Sequence, residues 1–310
     1  MIKIKKNISI FMIIFFVYTW FLLSYIPQFT EKIETVASKD YLSDSKEIFH
    51  KNMKIYKTEF FKNIKINRRV SLEELKSNII NKLGENIDSF SLIYYEVDSK
   101  DIIEINSEYL FRPASTYKIP LNMLLYDKVF RNEVDIDSSM MYDDDDYESG
   151  AGELQGSSML DEPIALTTLS EYSIIYSDNI AANMIMRNLG FYDFVDYMEQ
   201  VSYIEVDDVN FIKPKIMLAF LEKLYYNAEN NPYYDTLIGY MKNTVFHDRI
   251  DALIPQDIVA HKIGDYDVYV NDVGIVYTEK PYIVIFYTEE FSYEDIAEIS
   301  KMLYEYNTQD

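Results

Sequence analysis

Pro113-Ala114-Ser115-Thr116-Tyr117-Lys118-Ile119-Pro120-Leu121 is the stretch on which the reading of this chain turns. Ser115 and Lys118 stand three apart at the head of an apolar helical run, so they share a face and the amine can reach the hydroxyl. A serine hydroxyl is a weak nucleophile until a base takes its proton, and a lysine with a lowered pKa can be that base. The spacing alone carries little. Ser43-Asp44-Ser45-Lys46 repeats it in a polar segment where nothing supports it. Ser115 is set apart by two later segments: Ser177 in Tyr176-Ser177-Asp178-Asn179 lies 62 residues further on, and Lys262 in His261-Lys262-Ile263-Gly264 lies another 85.

Around these motifs the chain alternates between strand and helix patterns. Ser71 with Glu74 makes a capping box ahead of Leu75, Ile79, Ile80 and Leu83, and Gly84 can end that helix. Ser89 to Val97 is rich in β-formers, and a turn at Asp98-Ser99-Lys100-Asp101 leads to a second strand, Ile102 to Ile105. From Ser115 to about Tyr226 apolar residues recur three and four apart, as in Leu121-Leu124-Leu125 and Ile180-Met184, so this part is mostly helix. Val268 to Tyr277 and Tyr282 to Thr288 flank Glu279-Lys280-Pro281 as a second hairpin, and a last helix starts near Ser292. Strands at both ends with helices between predict one α+β domain whose sheet joins distant parts of the chain.

Taken together, the three motifs resemble Ser-x-x-Lys, Ser-Asp-Asn and Lys-Thr-Gly of the penicillin-recognising serine hydrolases, with class A β-lactamase-like enzymes as the nearest branch. Ser149-Gly150-Ala151-Gly152-Glu153-Leu154-Gln155 resembles that family's glycine-rich approach to the middle helix. Arg249-Ile250 through Leu253-Ile254-Pro255 resembles its approach to the third motif. The resemblance spans residues 86–310. It implies an antiparallel sheet flanked by N- and C-terminal helices plus a helical subdomain. It also implies an acyl-serine enzyme acting on β-lactams or D-alanyl peptides of peptidoglycan, with no cofactor and no metal. Ser115 would be the nucleophile, Lys118 its activator, and Ser177 the proton relay to the leaving nitrogen. Asn179 would hold a substrate amide, and Lys262 would supply positive charge. Gly264 and Asp265 would line the substrate, with the N–H groups of Ser115 and Asp265 as the oxyanion hole. Asp178 reads as a cap or loop tie, and His261 as a strand side chain.

Two departures stand beside the matches. The family's water-activating glutamate, followed four residues on by asparagine, has no counterpart before Lys213-Pro214; Glu205, five residues before Asn210, is the nearest candidate for the deacylation base. A persistent ester at Ser115 is therefore expected. Ile263 replaces the third motif's hydroxyl residue, and losing a hydrogen bond to a charged group costs about 1.5–3 kcal/mol. Its presence favours the alternative of a non-catalytic cell-wall or β-lactam sensor that keeps the fold.

The ends and the composition set the compartment. Lys3, Lys5 and Lys6 precede an uncharged run from Ile8 to Ile26, about 28 Å as a helix, which reads as a cytoplasmic tail (1–7) and a transmembrane anchor (8–26). A cleavable signal with a site at Val36-Ala37-Ser38 is the competing reading. Residues 27–85 read as stalk and leading helix, and 86–310 as the catalytic domain, outside the membrane in either case. The chain has no cysteine, which excludes disulfides and thiolate chemistry, and only three histidines, little material for a zinc site. Of 52 acidic and 29 basic residues, 36 and 9 lie in 133–310, a balance that repels phosphate backbones and excludes nucleic acid as a partner. Asp143 to Asp146 with Glu148 lacks the spacing of an EF-hand and reads as a solvated acidic loop.

Overall fold

Phe90-Ser91-Leu92-Ile93-Tyr94-Tyr95-Glu96 forms strand β1, and the continuous burial of its first five residues shows that both its faces are covered. The computed structural model describes residues 70–309. The tail, the anchor, the alternative cleavage site and the stalk as far as residue 69 lie outside the described residues. Among the described residues no helix is long and apolar enough to cross a membrane.

β1 pairs antiparallel with β2 (Ile102–Ile105) on one side and with β7 (Tyr282–Thr288) on the other. β6 (Tyr269–Val276) and β5 (Val259–Tyr266) complete a five-stranded antiparallel sheet in the order β2-β1-β7-β6-β5. Alternation along each strand sends neighbouring side chains to opposite faces. On one face Ile93, Val273, Ile275, Ile283 and Ile285 join the core of the helical part. On the other, Leu92, Tyr94, Val284 and Phe286 pack with α1 (Leu72–Leu83) and α8 (Tyr293–Asn307) through Leu75, Ile79, Ile296, Ile299 and Leu303.

α1 begins as its sequence predicts: the Ser71 hydroxyl accepts the Glu74 N–H, and Gly84 ends the helix at φ 57°. Leu75, Ile79 and Leu83 need an apolar surface, and the outer face of the sheet supplies it.

The helical part holds α2 (Lys118–Phe130), α3 (Leu166–Ile175), α4 (Asn179–Leu189), α5 (Phe191–Ser202), α6 (Pro214–Tyr226) and α7 (Tyr233–Lys242). A two-stranded ribbon of β3 (Ser139–Met140) and β4 (Ile164–Ala165) lies between α2 and α3 in the chain. The acidic stretch is tied down by one cation: Arg187 forks onto both carboxylate oxygens of buried Asp146 at 2.8 Å, while Asp143, Asp144 and Asp145 lie nearer the surface.

Candidate active site

Ser115 sits on a single 3-10 turn, Ala114–Tyr117, that runs into α2, so the hydroxyl stands near the positive end of a 13-residue helix. Ala114 just before it has φ 44°, a left-handed conformation costly for a residue with a side chain. The third motif holds this turn from the other side. A Cβ built on Gly264 would lie 2.7 Å from the Pro113 carbonyl oxygen and 3.0 Å from the Ser115 nitrogen. Only glycine lets the edge strand β5 approach the nucleophile's backbone so closely. The two segments expected to offer oxyanion N–H groups are thus in contact.

Lys118 is fully buried. Its Nζ donates to the Ser177 carbonyl oxygen and to Asn179 Oδ1, both at 2.7 Å. Burial lowers its pKa to about 7, against a smaller upward pull from Asp178 and Glu148. A neutral amine has two N–H donors and one lone pair. Here both donors have acceptors, which leaves the lone pair of the neutral amine free.

Ser177 is buried with φ 55°, a second left-handed non-glycine residue at the site. Its Oγ accepts from Lys262 Nζ at 2.8 Å, and the same ammonium donates to the Ile263 carbonyl at 2.8 Å. Burial pushes the Lys262 pKa well down, and the charge of Lys118 pushes it further. Asp178 acts as the cap its position suggests. Its carboxylate accepts the Ala181 N–H at 2.9 Å at the head of α4 and the Leu154 N–H at 2.8 Å. The glycine-rich loop is drawn onto it so tightly that a Cβ on Gly152 would stand 2.2 Å from Asp178 Oδ2. Asn179 Nδ2 donates to the Ser149 carbonyl at 3.2 Å, so this side chain fastens the loop as well as Lys118.

Ser115 and Asn179 open onto a cleft of about 500 Å³, lined also by Tyr117, Glu148, Phe191 and Asp265. The structure brings Ser115, Lys118, Ser177, Asn179, Lys262, Gly264 and Asp265 together. It does not bring Glu205. Buried Val206, whose N–H bonds Glu199 Oε1 at 2.9 Å, anchors that stretch, while Glu205 is exposed and off the cleft wall. Val209 and Asn210 reach the cleft in its place. The Asp265 carboxylate is clamped by buried Arg249, Nη1 to Oδ1 at 2.8 Å and Nη2 to Oδ2 at 2.6 Å. Ile263 is buried and brings no donor.

Two lining residues escape sequence reasoning. Arg112 stacks its guanidinium 3.8 Å from the ring centre of Tyr266 and 5.7 Å from that of Phe211. It forms no salt bridge among the described residues and is the one cationic side chain on the cleft wall. Its only sequence signal is a place three residues before Ser115, which means nothing until β5 brings Tyr266 over it. Glu148 accepts from Asn183 Nδ2 at 3.1 Å and is the one cleft carboxylate without a salt bridge among the described residues.

The same scaffold recurs in solved structures. PBP-A is 22% identical, with a TM-score of 0.69 over 76% of this chain and 96% of its own. A point mutant of PBP-A, an acyl-enzyme complex with penicillin G, is also 22% identical, with a TM-score of 0.68 over 77% and 98%. TLA-3 extended-spectrum beta-lactamase is 20% identical, with a TM-score of 0.71 over 76% and 99%. No curated protein sequence matches the chain. At these identities the structures speak for the fold. The sequence itself goes further, because the model of the beta-lactamase enzyme family matches residues 72–307, from the first residue of α1 to the last of α8. With that span including all three motifs, the chain belongs to the beta-lactamase enzyme family.

Proposed function

We propose that this protein is an acyl-serine hydrolase that opens β-lactams or cleaves D-alanyl peptides, and that it releases the acyl group slowly. The observation that carries this reading is buried Lys118, with a pKa of about 7 and both amine donors occupied, one helical turn from Ser115 at the cleft. Ser115 Oγ attacks the carbonyl carbon and passes its proton to the Lys118 amine. The C–N bond breaks, and the leaving nitrogen takes a proton delivered through Ser177, which Lys262 holds by its hydroxyl. The product is an ester on Ser115, which water must later cleave. Slow release is supported by the outward position of Glu205 and by the Arg249 clamp on Asp265. Arg112 is the group suited to the substrate carboxylate, a task that Ile263 cannot perform. Residues 8–26 would hold the domain at the outer face of a membrane.

The test is intact-protein mass spectrometry of the full chain in detergent after mixing with benzylpenicillin. An adduct on Ser115 that lasts for hours is the expected result. Rapid antibiotic loss with no lasting adduct would replace slow release with fast turnover, and Glu148→Gln would then identify the base if it restores the adduct. Ile263 favours a second reading, a ligand-binding sensor without chemistry. Binding that forms no adduct and survives Ser115→Ala would establish that reading instead.

A further inference from the structure

Behind the active-site strand lies a second polar cluster that the chemistry at Ser115 does not use. His247 and Asp251 come from the segment between α7 and β5, His261 from β5, and Asp272 from β6. One donor atom from each of His247, Asp251 and His261 lies within 4.8 Å of the others. The side chains of Asp251 and His261 are each 1% exposed, whereas that of His247 is 38% exposed and opens the cluster to water.

The hydrogen bonding of His261 is lopsided. Its Nδ1 meets Asp272 at 2.9 and 3.0 Å, and Asp272 is itself fixed by the Ile250 N–H at 3.1 Å. Its Nε2 is buried with no hydrogen-bond partner, and so is Asp251 Oδ1. Nε2 stands 3.4 Å from Asp251 Oδ2. That is long for a hydrogen bond between such groups. It is the separation of two ligands on one tetrahedral ion, about 3.3 Å for bonds of about 2.0–2.1 Å. A carboxylate on the far nitrogen of a ligating imidazole is also the usual outer support of a zinc-bound histidine.

We propose that His247, Asp251 and His261 bind one zinc-type divalent ion, with Asp272 orienting His261 and water filling the open position on the His247 side. Two imidazoles and one carboxylate suit a borderline ion such as zinc or cobalt better than calcium or magnesium. His247 already contacts Asp251 and, being half-exposed, can swing to make room. Arg249, the nearby cation, is spent on Asp265 and Asp248. The ion would pin the segment before β5 onto the strand that carries Lys262. This departs from the expectation that three histidines are too few for a metal site, because two of the three converge here. It is independent of any reaction at Ser115.

The test is titration of the chelator-stripped full chain in detergent with cobalt(II), read by its visible spectrum, followed by zinc. So acidic a protein will hold divalent ions loosely at its surface, and geometry tells the cases apart. The expected result is one cobalt per chain with the intense bands of a four-coordinate ion, displaced by zinc, and a higher melting temperature with zinc. His247→Ala, at a half-exposed position, should lose these bands and weaken binding by at least about 100-fold, while His50→Ala should change neither. Asp272→Asn should weaken binding by roughly 10–100-fold. Weak six-coordinate bands, no stoichiometric binding, or binding untouched by His247→Ala would each overturn the proposal.

Discussion

His261 and Lys262 are consecutive residues of one strand, both buried, and their surroundings drive them in opposite directions. Burial lowers the Lys262 pKa, and Lys118 on the same side lowers it further. Burial alone would lower that of His261 too, yet Asp272 and Asp251 raise it to about 9 in the metal-free protein. One face of β5 therefore crowds cations and pushes the lysine's pKa down, and the other gathers carboxylates that push the histidine's up. Depth in the protein is the same on both sides. The sign is set by which neighbours the fold recruits.

The largest break in this comparison is Lys118→Met. It removes the base, so acylation of Ser115 by benzylpenicillin should fall roughly 100- to 10,000-fold in stopped-flow or mass kinetics. It also removes the charge that presses on Lys262, whose pKa should rise towards the ordinary lysine range. On the other face, Asp272→Asn leaves His261 and the Ile250 N–H with a weaker partner. Removing one member of a buried ion pair costs about 3–5 kcal/mol, to be read by urea unfolding of the metal-free chain. Arg112→Ala tests whether the cationic side reaches the substrate. Losing a charge-assisted bond should raise the concentration needed for half-maximal acylation about 10- to 100-fold and leave the limiting rate nearly unchanged. The mildest probe is pH. The reactive form has Lys118 as neutral amine, present above about pH 7, so acylation should fall as pH drops through 7 and continue roughly tenfold per unit below it. A flat profile from pH 5 to 9 would remove Lys118 from the role of base.

Local patterns are readable where a residue's fate depends on its chain neighbours. Ile102–Ile105 and Tyr282–Thr288 appear with the bounds their composition predicts, and Ser71, Asp178 and Ser292 cap the helices they precede. The three motifs are readable because family spacing carries them. The rest depends on partners far along the chain. Nothing near Asp265 in the sequence announces Arg249 as its clamp, and nothing near Arg112 announces Tyr266. Distance to Asn210 singles out Glu205, but the burial of Val206 decides which way that stretch turns. The same limit applies to α1, whose apolar stripe is visible in the sequence while the sheet face that receives it is not.

The middle strand of the sheet is β7, the last strand in chain order, and it pairs along its length with β1, the first. Gly264, on the neighbouring part of the same sheet, packs against the backbone of Ser115 and its turn. Timing follows from this topology. A growing chain carries its serine and lysine well before it carries the strands that align them, so the reactive pair stays unarmed until β5 and β7 have been made. A truncation between Asp265 and Tyr282 should leave all three motifs in the chain and no chemistry to show for it.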